Sequence, residues 1–229
     1  MHAGLISSQS PGPQGELRES GVQSAADLPQ ARLWEWRRLI SELYAEVRTL
    51  DPVAGWHRWR LGRDHLFRGH PQSPIPLEHR LAFAGLDYFP YDPLLRFTVE
   101  LDEPQAADPL TMQAGRDGEV NLRPFATTRG LQQVLGAELT LYWINGYGGG
   151  VFLPFGDETN GSKSFAGGRY LLDTIKGADL GWTADMKVIL DFNFAYNPSC
   201  SYSDQWVCPL APSQNKLAQP VRAGEQHQG

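Results

Sequence analysis

The sequence predicts a mainly β protein, an antiparallel β-barrel or sandwich with two N-terminal helices, and three observations predict it. Hydrophobic residues make up 41% and aromatics 11% of the 229 residues, and many of the aromatics lie in strand-like runs, which suits a pleated, half-buried surface. Between Leu33 and Leu50 apolar residues recur at alternating steps of three and four, the helical period. From Lys187 the period changes to two: Val188, Leu190, Phe192 and Phe194 fall on one face, Ile189, Asp191 and Asn193 on the other.

Residues 1–26 are rich in Ser, Gln, Gly and Pro and read as a disordered tail. Asp27 with Gln30 three positions on offers a capping box for the first helix. Its stripe is Leu33, Trp36, Ile40, Leu43, Val47 and Leu50, with Glu35, Arg38, Glu42 and Glu46 opposite, and it is expected to cover the β-domain. Asp51-Pro52 is an N-cap followed by proline at the first helical position, so a second, basic helix runs from there to about Gly69. The helices occupy 27–70 and the β-rich domain 71–229, together one unit. A proline-rich linker, Gln72 to Pro93, leads into strands expected at Leu95–Leu101, Leu110–Gln113, Val120–Thr128 and Ala137–Ile144. The Gly-rich run Asn145–Gly150 lacks the lysine and following helix of a phosphate loop and reads as a hairpin turn. From Val151 to Asp173 the chain predicts another hairpin, with Asn160-Gly161 as a two-residue type I′ turn. That register sets Glu158 opposite Lys163 and leaves Asp157 without a partner. Arg169 would face away from Asp157 unless Gly167-Gly168 hosts a bulge.

The formal net charge is −6, so the molecular field repels nucleic acid and anionic lipid, and neither is expected as a partner. No apolar run has signal-peptide or membrane-spanning length, and a cytoplasmic location is expected. Cys200 and Cys208 lie outside zinc-ribbon or C-x-x-C spacing. Packed thiols, a loop-closing disulfide and a reactive cysteine all stay open. The oligomeric state is not legible.

After Tyr196 the periodicity stops, and a long irregular segment holds both cysteines, several prolines, Trp and Tyr. Such segments in a compact domain are functional or disordered, and the aromatic content opposes disorder. A site is therefore expected here. Asp157, Asp191 and Glu225 are carboxylates outside obvious ion pairs and are the candidate catalytic groups. With Thr159, Asn193 and Asn197 they offer oxygen ligands for a divalent cation, or an acid and base for hydrolysis. Arg169, Tyr170 and Tyr196 are candidate ligand contacts, as are Cys200 and Cys208. The competing reading has Asp191, Asn193 and Asn197 hydrogen-bonding the irregular backbone, with Glu225 on Arg169 or Arg222. The expected function is binding of a small molecule, with or without carboxylate-assisted hydrolysis; a non-catalytic ligand-binding or protein-interaction module is the alternative.

Several of these residues recur in ordered motifs: Phe152, Pro154, Phe155, Asp157, Thr159 and Gly161; Gly167–Leu171; Asp191–Asn193, Ala195–Pro198 and Cys200; Cys208–Leu210; and Ala223–Glu225. Arg63, Phe67, His70, Ser73 and Pro74 precede them. In this order the motifs resemble a bacterial family, domain-of-unknown-function family 1684, from about Trp56 to Glu225. Phe194, Ala211 and Phe165 stand where that pattern has a basic residue, proline and tyrosine. The resemblance strengthens the site residues and implies no reaction.

Overall fold

A computed structural model describes residues 28–104, 109–113 and 118–227. The proposed tail and the Asp27 cap lie outside the described residues. The first helix, α1 (Pro29–Val47), starts with Pro29 at its first position after Leu28, which makes no side-chain cap. The second, α2 (Pro52–Gly69), starts as its sequence predicts, the Asp51 carboxylate accepting the Val53 and Ala54 N–H groups.

Among the described residues seven antiparallel strands follow: β1 (Arg96–Asp102), β2 (Leu110–Gln113), β3 (Glu119–Arg129), β4 (Thr140–Ile144), β5 (Gly150–Phe155), β6 (Arg169–Asp173) and β7 (Val188–Asp191). They run β6-β5-β4-β3-β1-β7, with β2 sharing the β1 edge of β3. The chain beyond β7 then reaches β6, where Tyr170 and Tyr196 exchange backbone hydrogen bonds of 2.9 and 3.0 Å. That exchange nearly closes the sheet into a barrel, as the sequence led one to expect. A closed sheet leaves few unpaired edge groups.

Two prolines sit inside this sheet, where each removes a ladder donor. The β3–β4 register shifts between Pro124 and Ala126, and the β5–β6 register between Leu153 and Pro154. Proline is tolerated in a strand at such irregularities. Asn145–Gly149 joins β4 to β5 as the expected hairpin turn, with Ile144 opposite Gly150. A short helix, α3 (Gln132–Leu135), was not legible. Glu138 organises it by accepting the N–H groups of Gly130, Leu131 and Gln132.

Two sequence expectations are corrected. The β5–β6 connection is not a type I′ hairpin, because that turn needs positive φ at both central residues and only Gly161 has it (φ 76°). Instead the Thr159 carbonyl gathers the N–H groups of Ser162, Lys163 and Ser164, so Glu158 and Lys163 are not ladder partners. The strand from Lys187 is also shorter than its alternation. The Asp191 side chain accepts the Asn193 N–H, and the chain turns through one 3-10 turn, Phe192–Phe194. Phe192 therefore stays in the barrel core with Val188 and Leu190, whereas Phe194 joins the layer beneath the helices.

That second layer contains Ile40, Leu43, Val47, Trp56, Trp59 and Phe194. A buried tryptophan removes some 150–250 Å² from water, roughly 4–6 kcal/mol before entropy. The exposed Arg58–Glu46 pair joining the helices contributes about 1 kcal/mol at most. Aromatic burial therefore docks the helices on the barrel. The linker wraps back over the barrel: Tyr88 pairs with Glu225, and the Phe89 N–H donates to the Gly224 carbonyl. No described helix is long and apolar enough to cross a membrane.

Candidate functional site

The structure brings the carboxylates at 157 and 225 to one region and hands each its own arginine. Arg169 opens β6. It is turned inward after Gly168, whose φ of 88° favours glycine and where a Cβ would stand 2.6 Å from the Phe155 carbonyl oxygen. Arg169 Nη2 stands 2.8 Å from Asp157 Oδ2, both side chains fully buried. The guanidinium also donates to the carbonyls of Ala223 and Val221. Asp157 Oδ1 accepts the N–H groups of Thr159 at 2.8 Å and Val221 at 3.1 Å, and the Thr159 hydroxyl bonds Ser164. This cluster ties the C-terminal strap to the end of β5.

Glu225, on the same strap, pairs with Arg63 of α2 rather than with Arg169 or Arg222; Arg63 Nη2 lies 2.6 Å from Glu225 Oε2. The Asn197 N–H and the Tyr202 hydroxyl also donate to this carboxylate. Arg63 Nε donates to the Tyr88 hydroxyl at 3.1 Å, and its guanidinium lies 5.1 Å from the Tyr196 ring centre. Burial raises the Glu225 pKa above its ordinary value, while the Arg63 charge, Tyr202 and the Asn197 N–H pull the other way. Asn197 Nδ2 donates to the Gln226 carbonyl.

Asp191 stands apart, and shares no hydrogen-bond partner with Asp157 or Glu225 among the described residues. Arg96 Nη1 (3.0 Å) and the Tyr91 hydroxyl (3.1 Å) reach its Oδ2. Asn193 Nδ2 donates to its Oδ1 at 2.8 Å. Asn193 also exchanges 2.8 Å hydrogen bonds with the Asp92 backbone. Every candidate carboxylate is thus at most 1% exposed and charge-compensated. Among the described residues, no group of three or more His, Cys, Asp or Glu could hold a metal ion.

Tyr170 packs edge-on against Tyr196 and Phe152, and its hydroxyl donates to the Pro209 carbonyl. Cys200 and Cys208 are free and half-buried; the Cys200 N–H donates to Cys208 Sγ at 3.2 Å.

Sequence reasoning missed the partners. Arg63 carried a signal: it shares the helical face of Trp56, Trp59, Leu66 and Phe67, and a charge inside an apolar stripe needs a buried counter-ion. Arg96, Tyr88 and Tyr202 had no such signal. Nor had Asn215, fully buried, which bonds both backbone groups of Thr140 and the Pro154 carbonyl.

Outside these clusters an open groove of about 460 Å³ lies between the linker and the irregular C-terminal segment, lined by Gln72, Ser73, Arg80, Gln205 and Trp206 among others. Arg80 shapes one wall by donating to the carbonyls of Ile75, His70 and Ser73. His70 completes the turn beneath it, its Nδ1 accepting the Gln72 N–H; burial lowers its pKa against the opposing pull of Glu35.

The fold and motifs can be compared with known proteins. No curated protein matches the chain. A solution NMR structure of an uncharacterized protein from Haloarcula marismortui is 33% identical, with a TM-score of 0.51, covering 73% of this chain and 89% of its own. A family model described as protein of unknown function, DUF1684, matches residues 81–226. The match begins after α2, so Arg63, His70 and Ser73 lie outside it, whereas the Asp157, Arg169, Asp191 and Glu225 motifs all lie within. The chain belongs to the family of proteins of unknown function DUF1684.

Proposed function

We propose that this protein binds a small polar molecule in the groove between the 71–80 linker and the 203–206 segment, without turning it over at the buried carboxylates. The observation that carries this reading is the groove itself. Its volume of about 460 Å³ falls in the range of small-molecule sites. Trp206 is 37% exposed there and offers a flat apolar surface. Gln72 and Gln205 supply amides, and Arg80 keeps guanidinium N–H groups beyond those given to backbone carbonyls. A molecule with a planar ring and mixed donors and acceptors fits that lining. Carboxylate-assisted hydrolysis finds less support, because Asp157, Asp191 and Glu225 are sealed from solvent and each bonded to an arginine. The net charge of −6 favours a small-molecule partner over nucleic acid or an anionic membrane.

The test is a thermal-shift screen of the full chain against a metabolite library, repeated with Trp206→Ala and Gln205→Ala. Ligand at 100 times its Kd stabilises by about 2.7 kcal/mol, a rise in Tm of roughly 5–10 °C for a chain of this size. Both variants should lose most of that rise while keeping their unliganded Tm. No shift from any compound, or an unchanged shift in both variants, would sink the groove reading.

A further inference from the structure

Cys200 and Cys208 are outside the arginine–carboxylate clusters, yet the fold holds them against each other. Cys200 sits in the 3-10 turn Ser199–Ser201, closed by the Ser201 N–H on the Pro198 carbonyl. Cys208 precedes Pro209, whose carbonyl accepts the hydroxyl of the buried Tyr170. The two anchors bring the Cys200 N–H to 3.2 Å from Cys208 Sγ. Cys200 Cα, one bond of about 1.46 Å from that nitrogen, is then no more than roughly 4.7 Å from the other sulfur. Such an approach is compatible with the Cα spacing of about 4.4–6.8 Å in disulfides, and both residues are partly open to solvent.

We propose that Cys200 and Cys208 form a dithiol that exchanges with low-molecular-weight disulfides, such as glutathione disulfide, and ends as an internal disulfide across the base of the 200–208 loop. The Cys208 thiolate attacks one sulfur of glutathione disulfide; that S–S bond breaks, and one glutathione leaves and takes up a proton. Cys200 then gives its proton to solvent and attacks the Cys208 sulfur, expelling the second glutathione. Two protein thiols and one glutathione disulfide become one protein disulfide and two glutathione thiols, a two-electron oxidation of the protein. Cys208 is the attacking group because Cys200 is held back as the protonated thiol. Burial and then the neighbouring Cys208 push the Cys200 thiol up to about 12. The second cause weakens once Cys208 is held in a mixed disulfide, and the 3.2 Å approach of the Cys200 backbone to the Cys208 sulfur places Cys200 for the resolving step. Ser203, Gln205 and Trp206, which line the groove, lie inside the closed loop, so the bond would reset one groove wall. The bond itself does not depend on the groove binding anything.

The experiment equilibrates the full chain in glutathione buffers of increasing oxidised fraction, quenches in acid, alkylates, and counts thiols by intact mass. The wild type should pass from two alkylated thiols to none, retain no glutathione, and stay a single chain on non-reducing electrophoresis. Cys200→Ser should trap one glutathione on Cys208, and Cys208→Ser should react at least about tenfold more slowly. Persistence of both thiols at every ratio, retained glutathione on the wild type, or cross-linked chains would overturn the proposal. Equal rates in the two variants would overturn the assignment of Cys208 as the attacking thiol.

Discussion

Glu225 is 1% exposed, and its carboxylate is held by Arg63, Tyr202 and the Asn197 N–H. Removing one partner of a buried ion pair leaves an uncompensated charge, which costs about 3–5 kcal/mol. Arg63→Met should therefore destabilise the fold by that amount at pH 7. The double variant Arg63→Met with Glu225→Gln should recover at least about 1 kcal/mol of the loss. The pH dependence separates this account from lost packing. Burial raises the Glu225 pKa from its ordinary 4.5, so its contribution to stability is present below that value and is lost as pH rises through the folded pKa. Deleting the Arg63 charge raises the folded pKa further. The deficit of Arg63→Met should accordingly shrink on acidification from pH 7 toward about pH 5, as read by urea unfolding. A deficit constant with pH would assign the loss to packing alone.

At the scale of elements, the turn after β7 governs how helices and barrel meet. Asp191 ends the strand by capping Asn193, Asn193 holds the Asp92 backbone, and the Trp56 indole donates to the Asn193 carbonyl at 3.0 Å. Phe194 is thereby delivered to the helical layer, its ring 5.1 Å from that of Trp59 and 6.5 Å from that of Tyr44. Asp191→Asn replaces one accepting oxygen with an NH₂ that faces donors, either Arg96 and Tyr91 or Asn193 itself. A buried donor without an acceptor costs about 1–3 kcal/mol. We expect that loss in chemical unfolding, with the unliganded secondary structure intact by circular dichroism. Stability equal to the wild type would mean that the turn forms without its cap.

Across the whole molecule, tyrosines rather than carboxylates mark the pH limit of the fold. Tyr44, Tyr88, Tyr170, Tyr196 and Tyr202 all have pKa values raised above the ordinary 10.0, burial being the largest cause for each. A raised folded pKa contributes stability that is present below the unfolded value and lost as pH rises beyond it. Tm should hold steady from about pH 7 to 9.5 and fall steeply above about pH 10, where these phenols ionise only in the unfolded chain. The tyrosinate absorbance of these five phenols should appear together with unfolding, not before it, as read on a Tyr147→Phe background because that side chain lies on the surface. Ionisation that precedes unfolding would show these hydroxyls to be open to solvent.

What the sequence determined by itself is whatever neighbours a few residues away can dictate. Asp51-Pro52 started α2, the apolar steps of α1 produced its buried Ile40, Leu43 and Val47, and Val188 and Leu190 took the barrel face that their alternation assigned them. Ordered motifs also sufficed to place the chain in its family. Position in space was decided only by the nearly closed barrel. Phe194 left its expected face because a side-chain cap overrode the strand period, and Asp157 met Arg169 because Gly168 could adopt a conformation closed to other residues. Glu225 found Arg63 across 162 positions of chain. Periodicity and capping act over one turn or one pleat, whereas a buried charge takes the counter-ion that chain closure brings within reach, and no local pattern encodes that choice.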